Sequence, residues 1–376
     1  MNPLSIQIRL NGGLSGDSRD ALLGMGDALR QLGHSVTLTR PFRLNGFSAS
    51  LAGTPLGRFI PGIRVEANDA SGSLMEKMKT RHEWLPGVNP SAGFDLSLFS
   101  SWKAFRNMTK HGSREKLCFW ALASEQENTL RDTPPQTLMS DLKVIYDTEW
   151  TRKQFQHNGE ANETTPLIPA GIETEFRRLK ARTFTGPLQV LTLFEETNQD
   201  GFFNAIETLG RLFVCGLRLR ITVVAPRKLA DCGLGETVVV KPDTSILAEL
   251  MQNHHILLLP GRFSPSWLVR GMASGMAVFS APIGLAAETS RQQTQLAAPA
   301  DASPETWADE LRGWIERPNE LEALGERARV AMSESTPLAS ARRLLEAVLP
   351  GKAVTPSFED DSWRKENRPK GEPIVA

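Results

Sequence analysis

The 376-residue sequence has no excess of charge of either sign: Lys and Arg number 43, Asp and Glu number 43, and the formal net charge is zero. A general nucleic-acid or anionic-membrane binder carries a basic surplus, so this balance removes that footprint while leaving room for a local basic groove. Cysteine is scarce. Cys118, Cys215 and Cys232 are odd in number and far apart, with no Cys-x-x-Cys pair for zinc or dithiol chemistry, and no metal site is expected. Free structural thiols in a reducing compartment are the simplest reading. Long apolar runs are missing too. The longest, such as Ile256 to Pro260, have strand length and fall short of the roughly 20 residues that span a bilayer. MNPLSIQIRLNGG at the N-terminus has no charged region leading into an apolar core, so no secretory signal is read there. The sequons at Asn107 and Asn162 are then incidental, and a cytoplasmic location is expected.

What is present is ordinary globular composition, 40% hydrophobic and 23% charged, in a chain long enough for two domains with separate cores. The opening reads as strand, loop, helix, strand. Ile6, Ile8 and Leu10 alternate with polar residues; Asn11 to Ser18 is rich in turn and cap residues. Leu22, Met25, Leu29 and Leu32 then share one helical face, and Gly33-His34 turns the chain into a second strand, Val36 to Thr39. Such a unit implies parallel pairing with a right-handed crossover. Residues 41 to 90 carry many Gly, Pro and Ser and no period, which predicts long loops. Strands are predicted again at 94–99, 116–122, 142–146 and 167–168, with a helix from Thr148.

RRLKARTFTGP, residues 177 to 187, is charged and ends in Gly-Pro, as an interdomain linker does. Beyond it the alternation restarts: strands at 188–194, 217–224, 238–240, 256–259 and 277–279, helices at 201–213, 245–252 and 267–273, and a well-capped helix from Ser303. The expected division is a first Rossmann-like domain over 1–178, a second over 187–350, and a polar tail over 351–376 that either returns to the first domain or is disordered. Ligands of open parallel sheets lie beyond the carboxyl ends of the strands, so two such sheets predict an interdomain cleft.

Several residues are candidates on position. Gly12, Gly13 and Gly16 lie between the first strand and helix, where a loop either receives a ligand or simply turns tightly. Asp17, in the same loop, and Glu125, after the 116–122 strand, are candidate catalytic carboxylates; a solvated loop acid is the alternative for Glu125. Neighbouring His254 and His255 point in different directions and have no third ligand at metal spacing.

The order of segments over residues 5 to 345 resembles glycosyltransferase family 4 and its GT-B relatives. The resemblance is carried by Leu32-Gly33-His34-Ser35-Val36, by Asp147 to Thr151 followed by Ile168-Pro169-Ala170-Gly171-Ile172-Glu173-Thr174-Glu175-Phe176, and by Leu257 to Pro260 with Gly271-Met272-Ala273-Ser274-Gly275-Met276-Ala277-Val278. It implies a GT-B fold, two Rossmann-like parallel-sheet domains with an interdomain cleft. The implied activity is metal-independent transfer of a sugar from a nucleotide-sugar donor, held by the second domain, to a hydroxyl of an acceptor held by the first. The nucleotide-sugar is a substrate, and no cofactor is implied.

The donor positions depart from that pattern. Glu195 stands where the family has a diphosphate-binding Arg, and Asp200 where it has a Lys; Arg262, or Ser264 in a shortened loop, and Arg270 stand where it has two glutamates. Three accounts stay open. A transferase reaches the diphosphate through Arg262, Arg270 and the helix start at Ser264-Pro265-Ser266; or the donor is unusual; or the chain is a pseudoenzyme that binds a glycan or a protein partner. Arg262 and Arg270 are then either an anion clamp or salt-bridge partners of Glu195 and Asp200.

Overall fold

The computed structural model describes residues 3–10, 16–41, 62–67, 83–85, 94–100, 117–122, 143–157, 165–184, 186–196, 198–226, 229, 233–234, 237–240, 242–261, 263–282, 285–291, 296–299 and 301–349. The alternating residues of the opening form β1 (Ser5–Arg9), with Ile6 and Ile8 fully buried. Helix α1 (Gly16–Gln31) lays Leu22, Met25 and Leu29 onto it, and β2 (Ser35–Pro41) returns parallel to β1. His34 fills the turn, its Nδ1 accepting the Leu4 amide at 3.3 Å.

Two strands lie within the 41–90 stretch read as long loops. β3 (Gly62–Ala67) pairs antiparallel with β2, and β4 (Glu83–Leu85) pairs antiparallel with β3. They extend the edge of a sheet completed by β5 (Leu96–Phe99), β6 (Leu117–Ala121) and β7 (Lys143–Tyr146), in the order β4-β3-β2-β1-β5-β6-β7. The five strands from β2 to β7 are mutually parallel. β5 and β6 are buried throughout, as strands covered on both faces must be. Helix α2 (Glu149–His157) follows, started by Thr148, whose Oγ1 accepts the Thr151 amide at 3.0 Å.

The chain then leaves the first sheet. Ile168 is held there by two hydrogen bonds, its amide to the Tyr146 carbonyl at 2.7 Å and its carbonyl to Trp120 Nε1 at 3.0 Å. A few residues later Ile172 and Phe176 are buried in the core of the other half. The expected linker is pinned rather than loose: buried Arg182 donates from one nitrogen to the carbonyls of Met251, Gln252 and Ser274, at 2.7 to 2.8 Å. Those carbonyls end two helices, where unsatisfied acceptors and the dipole favour a cation.

The second half repeats the alternation: β8 (Leu188–Leu193), α3 (Gln199–Val214), β9 (Leu219–Val224), β10 (Thr237–Val239), α4 (Thr244–Asn253), β11 (Ile256–Leu259), α5 (Pro265–Ala273), β12 (Ala277–Ser280), α6 (Leu285–Arg291) and β13 (Leu296–Ala297). The sheet is wholly parallel, ordered β10-β9-β8-β11-β12-β13. Its strand order reverses between β8 and β11, which opens a crevice beyond their carboxyl ends. His254 and His255 are structural here. His254 joins the Leu250 carbonyl at 2.6 Å and Thr222 Oγ1 at 2.7 Å, and His255 Nδ1 accepts the Gln189 amide at 3.0 Å.

Three helices close the described chain: α7 (Pro304–Ile315), α8 (Pro318–Ala331) and α9 (Pro337–Val348), each with Pro in its first turn. Trp307 and Leu311 of α7 are fully buried in the second core. Helix α9 packs elsewhere. Its Ala341, Leu344, Leu345 and Val348 join the core of the first half, although the sequence reading assigned this stretch to the second domain. The return to the first half is thus made by an amphipathic helix before Pro350; the 351–376 tail lies outside the described residues.

Candidate ligand cleft between the two sheets

The first turn of α1, from the first half, meets the first turn of α5, from the second. Asp17 hydrogen-bonds Ser266 across the gap. Alongside lies a cavity of about 350 Å³, lined from the first half by Asp17, Asp20 and Gly24 and from the second by Pro265, Ser266 and Arg270, with the 169–173 crossing as its floor. Both walls are carboxyl-end loops or helix N-termini of parallel sheets, the place where such sheets hold ligands.

Arg270 takes neither of the two salt-bridge partners considered for it. Its partner is Glu173, bound through both guanidinium Nε, at 3.1 Å, and Nη2; neither Glu195 nor Asp200 takes part. The guanidinium lies over the Phe176 ring at 4.8 Å and near Trp267 at 5.6 Å. Glu173 and Arg270 stand 97 positions apart in the chain and meet because the crossing runs past α5. A guanidinium already paired and flanked by two rings is a fixture of the cleft wall.

Glu195 follows β8 and turns into the β8–β11 crevice. Its carboxylate accepts the Ser264 amide at 3.1 Å and the Trp267 indole N–H. Ser264 is the N-cap of α5 and also accepts the Ser266 amide at 3.3 Å. The N-terminus of α5, a natural anion seat, therefore carries a side-chain anion of the protein itself. Gly201 lets the crevice close this tightly: a Cβ there would lie 2.1 Å from the Pro260 carbonyl oxygen. Burial pushes the Glu195 carboxyl up to about 7, against the lowering effect of its two N–H donors. Burial also raises Asp17, opposed by Ser266 and Arg270, while Asp20 and Glu173 nearby raise it further.

Gly16 opens α1, and Asp200 sits exposed in the first turn of α3, suited to that helix dipole and away from Glu195's contacts. Gly12, Gly13, Glu125 and Arg262 lie outside the described residues. The sequence reading missed Glu173 and Trp267 as partners. Both lay inside quoted motifs, but only tertiary contact assigns them. Among the described residues no group of three or more His, Cys, Asp or Glu is placed to hold a metal ion, and no helix is long and apolar enough to cross a membrane.

Two Rossmann-like sheets facing each other across a ligand-sized gap define the GT-B fold, the architecture of a large class of glycosyltransferases. No protein-family model and no curated protein sequence matches the chain. Solved structures do. The chain is similar to a glycosyltransferase from Rickettsia africae at 12% identity and TM-score 0.64, covering 93% of this chain and 100% of that one. It is similar to WaaG, a glycosyltransferase involved in lipopolysaccharide biosynthesis, at 13% identity and TM-score 0.60, covering 92% and 100%. Anabaena HepE, solved in complex with UDP-glucose, matches at 15% identity and TM-score 0.60, covering 92% and 99%. At such identities the likeness establishes the fold.

Proposed function

We propose that this chain transfers a sugar from a nucleotide-sugar donor to a hydroxyl acceptor, with the donor gripped by the second domain and the acceptor held against α1. One observation carries the reading: the carboxyl ends of two parallel sheets converge on one cavity, whose walls join through Asp17 and Ser266. The UDP-glucose complex of Anabaena HepE supports the donor class by analogy. Within this reading Asp17 is the acceptor-side base. Burial raises the Asp17 carboxyl above its ordinary value, which makes it a stronger base for a hydroxyl proton than a solvated carboxylate. Calorimetry with UDP-, GDP-, CDP- and dTDP-sugars tests it: saturable binding of one of them, with sugar release to water or an acceptor that is lost in Asp17→Asn, is the expected result.

A second reading has its own observation. Glu195 occupies the α5 N-terminus with a carboxylate, which opposes a diphosphate. A GT-B protein that binds a glycan or a partner transferase without using a donor fits that feature. Binding of a glycan or partner with no response to any nucleotide-sugar selects this reading.

A further inference from the structure

The β8–β11 crevice and the cavity beside it share the N-terminus of α5, and Glu195 has no role in the chemistry above. Its surroundings are specific. From α5 come the Ser264 amide and the Trp267 indole, both donating to it; Arg270, one turn further on, is paired with Glu173. From α1 comes Asp17, a second acid, bonded to Ser266. From its own loop come Glu196 and, in α3, Asp200, both exposed to solvent. Arg262 lies outside the described residues. Every described charge acting on Glu195 from across the cleft is thus negative.

A diphosphate entering this seat takes the same amide and the same helix end that Glu195 now holds. Two anions sharing a desolvated site at contact distance disfavour each other by roughly a thousandfold at an effective dielectric of 20. Neutralising the carboxylate first is the easier route. We propose that Glu195 is a resident anion in the phosphate seat of α5, and that a nucleotide-sugar binds there only with uptake of one proton by this carboxylate. The proton comes from solvent, forms the O–H of Glu195 and stays there while the diphosphate is bound; no bond of the nucleotide-sugar is made or broken. The neutral carboxyl then offers its O–H as a donor to a phosphate oxygen, turning an opposing group into a binding one. Burial, which already lifts this group to about 7, keeps the proton within easy reach at neutral pH. At pH 8 roughly one molecule in ten carries it.

The inference rests on the transfer reading, and its test separates the two. UDP-glucose is a suitable probe because its diphosphate does not titrate between pH 6 and 9. Binding is measured by calorimetry over that range for the intact chain and for Glu195→Gln, in two buffers of different ionisation enthalpy. The expected result has three parts. Wild-type affinity falls about tenfold per pH unit above 7; about one proton is taken up at pH 8 by buffer comparison; and the Gln variant, which keeps the amide and indole contacts, binds with a flat pH profile and no proton uptake. Equal, pH-independent binding by both proteins overturns the coupling and leaves the transfer reading intact. Absence of binding by both at every pH, to UDP-glucose and to GDP-, CDP- and dTDP-sugars alike, overturns the two together.

Discussion

At the scale of single residues, a carboxyl raised from 4.5 to about 7 makes a definite claim on stability. The folded chain binds this proton more tightly than the unfolded chain does, so the contribution is fully present below pH 4.5 and is lost as pH rises through 7. Between pH 5 and pH 8 the loss is about 2–3 kcal/mol. Urea titrations at pH 5 and pH 8 are expected to show a fall in wild type that is largely missing in Glu195→Gln; an identical fall in both proteins assigns the pH dependence elsewhere. The Arg270–Glu173 pair makes a different claim. Removing Arg270 strips the counter-charge from Glu173 beside Asp17 and Asp20. Arg270→Ala is expected to cost about 2 kcal/mol, at the low side for a broken pair because Glu173 keeps some solvent contact. The double variant with Glu173→Ala should recover part of that, giving a coupling of about 1 kcal/mol in a double-mutant cycle. Additive losses contradict the pairing.

Elements meet at a few close approaches, and the crossing segment shows how little room they leave. A Cβ on Gly171 would lie 2.2 Å from the Pro337 backbone nitrogen, where α9 begins. Backbone cannot rotate out of the way as a side chain can, so Gly171→Ala must push α9 off the crossing. A loss of about 1–3 kcal/mol is expected, read as a drop in melting temperature. An unchanged melting temperature means the helix start is more adaptable than its contacts suggest. The elements also differ in how plainly the sequence announced them. β11 and β12 are uniformly buried four-residue runs between turn residues, and α1 carries one continuous stripe. β3 and β4 were read as loop because they are short and lie in a stretch crowded with Gly, Pro and Ser; the alternation of Ile63, Val65 and Ala67 with Arg64 and Glu66 in β3 spans only six residues, and β4 has three.

The whole molecule is tied together at its end. Helix α9 follows two helices of the second half yet completes the core of the first. Ending the chain after Thr336 uncovers the apolar surface that Leu344, Leu345 and Val348 bury, at about 1.5–3 kcal/mol for each side chain. The truncated protein is expected to lose the folded first half, seen as rapid proteolysis within residues 1–170 while the second half resists. Equal resistance of both halves shows that α9 is dispensable. The sequence alone determined the repeated α/β alternation and the parallel sheets, because hydrophobic period, caps and turns are local and each element writes its own signature. It also marked Glu195 as a reversed charge in the donor region. Only the tertiary structure decided which groups meet: Asp17 with Ser266, Glu173 with Arg270, Glu195 with the start of α5, and α9 with the first core. Those are contacts between segments tens to hundreds of residues apart, and their partners are selected by packing geometry and shared desolvation, which no local pattern records.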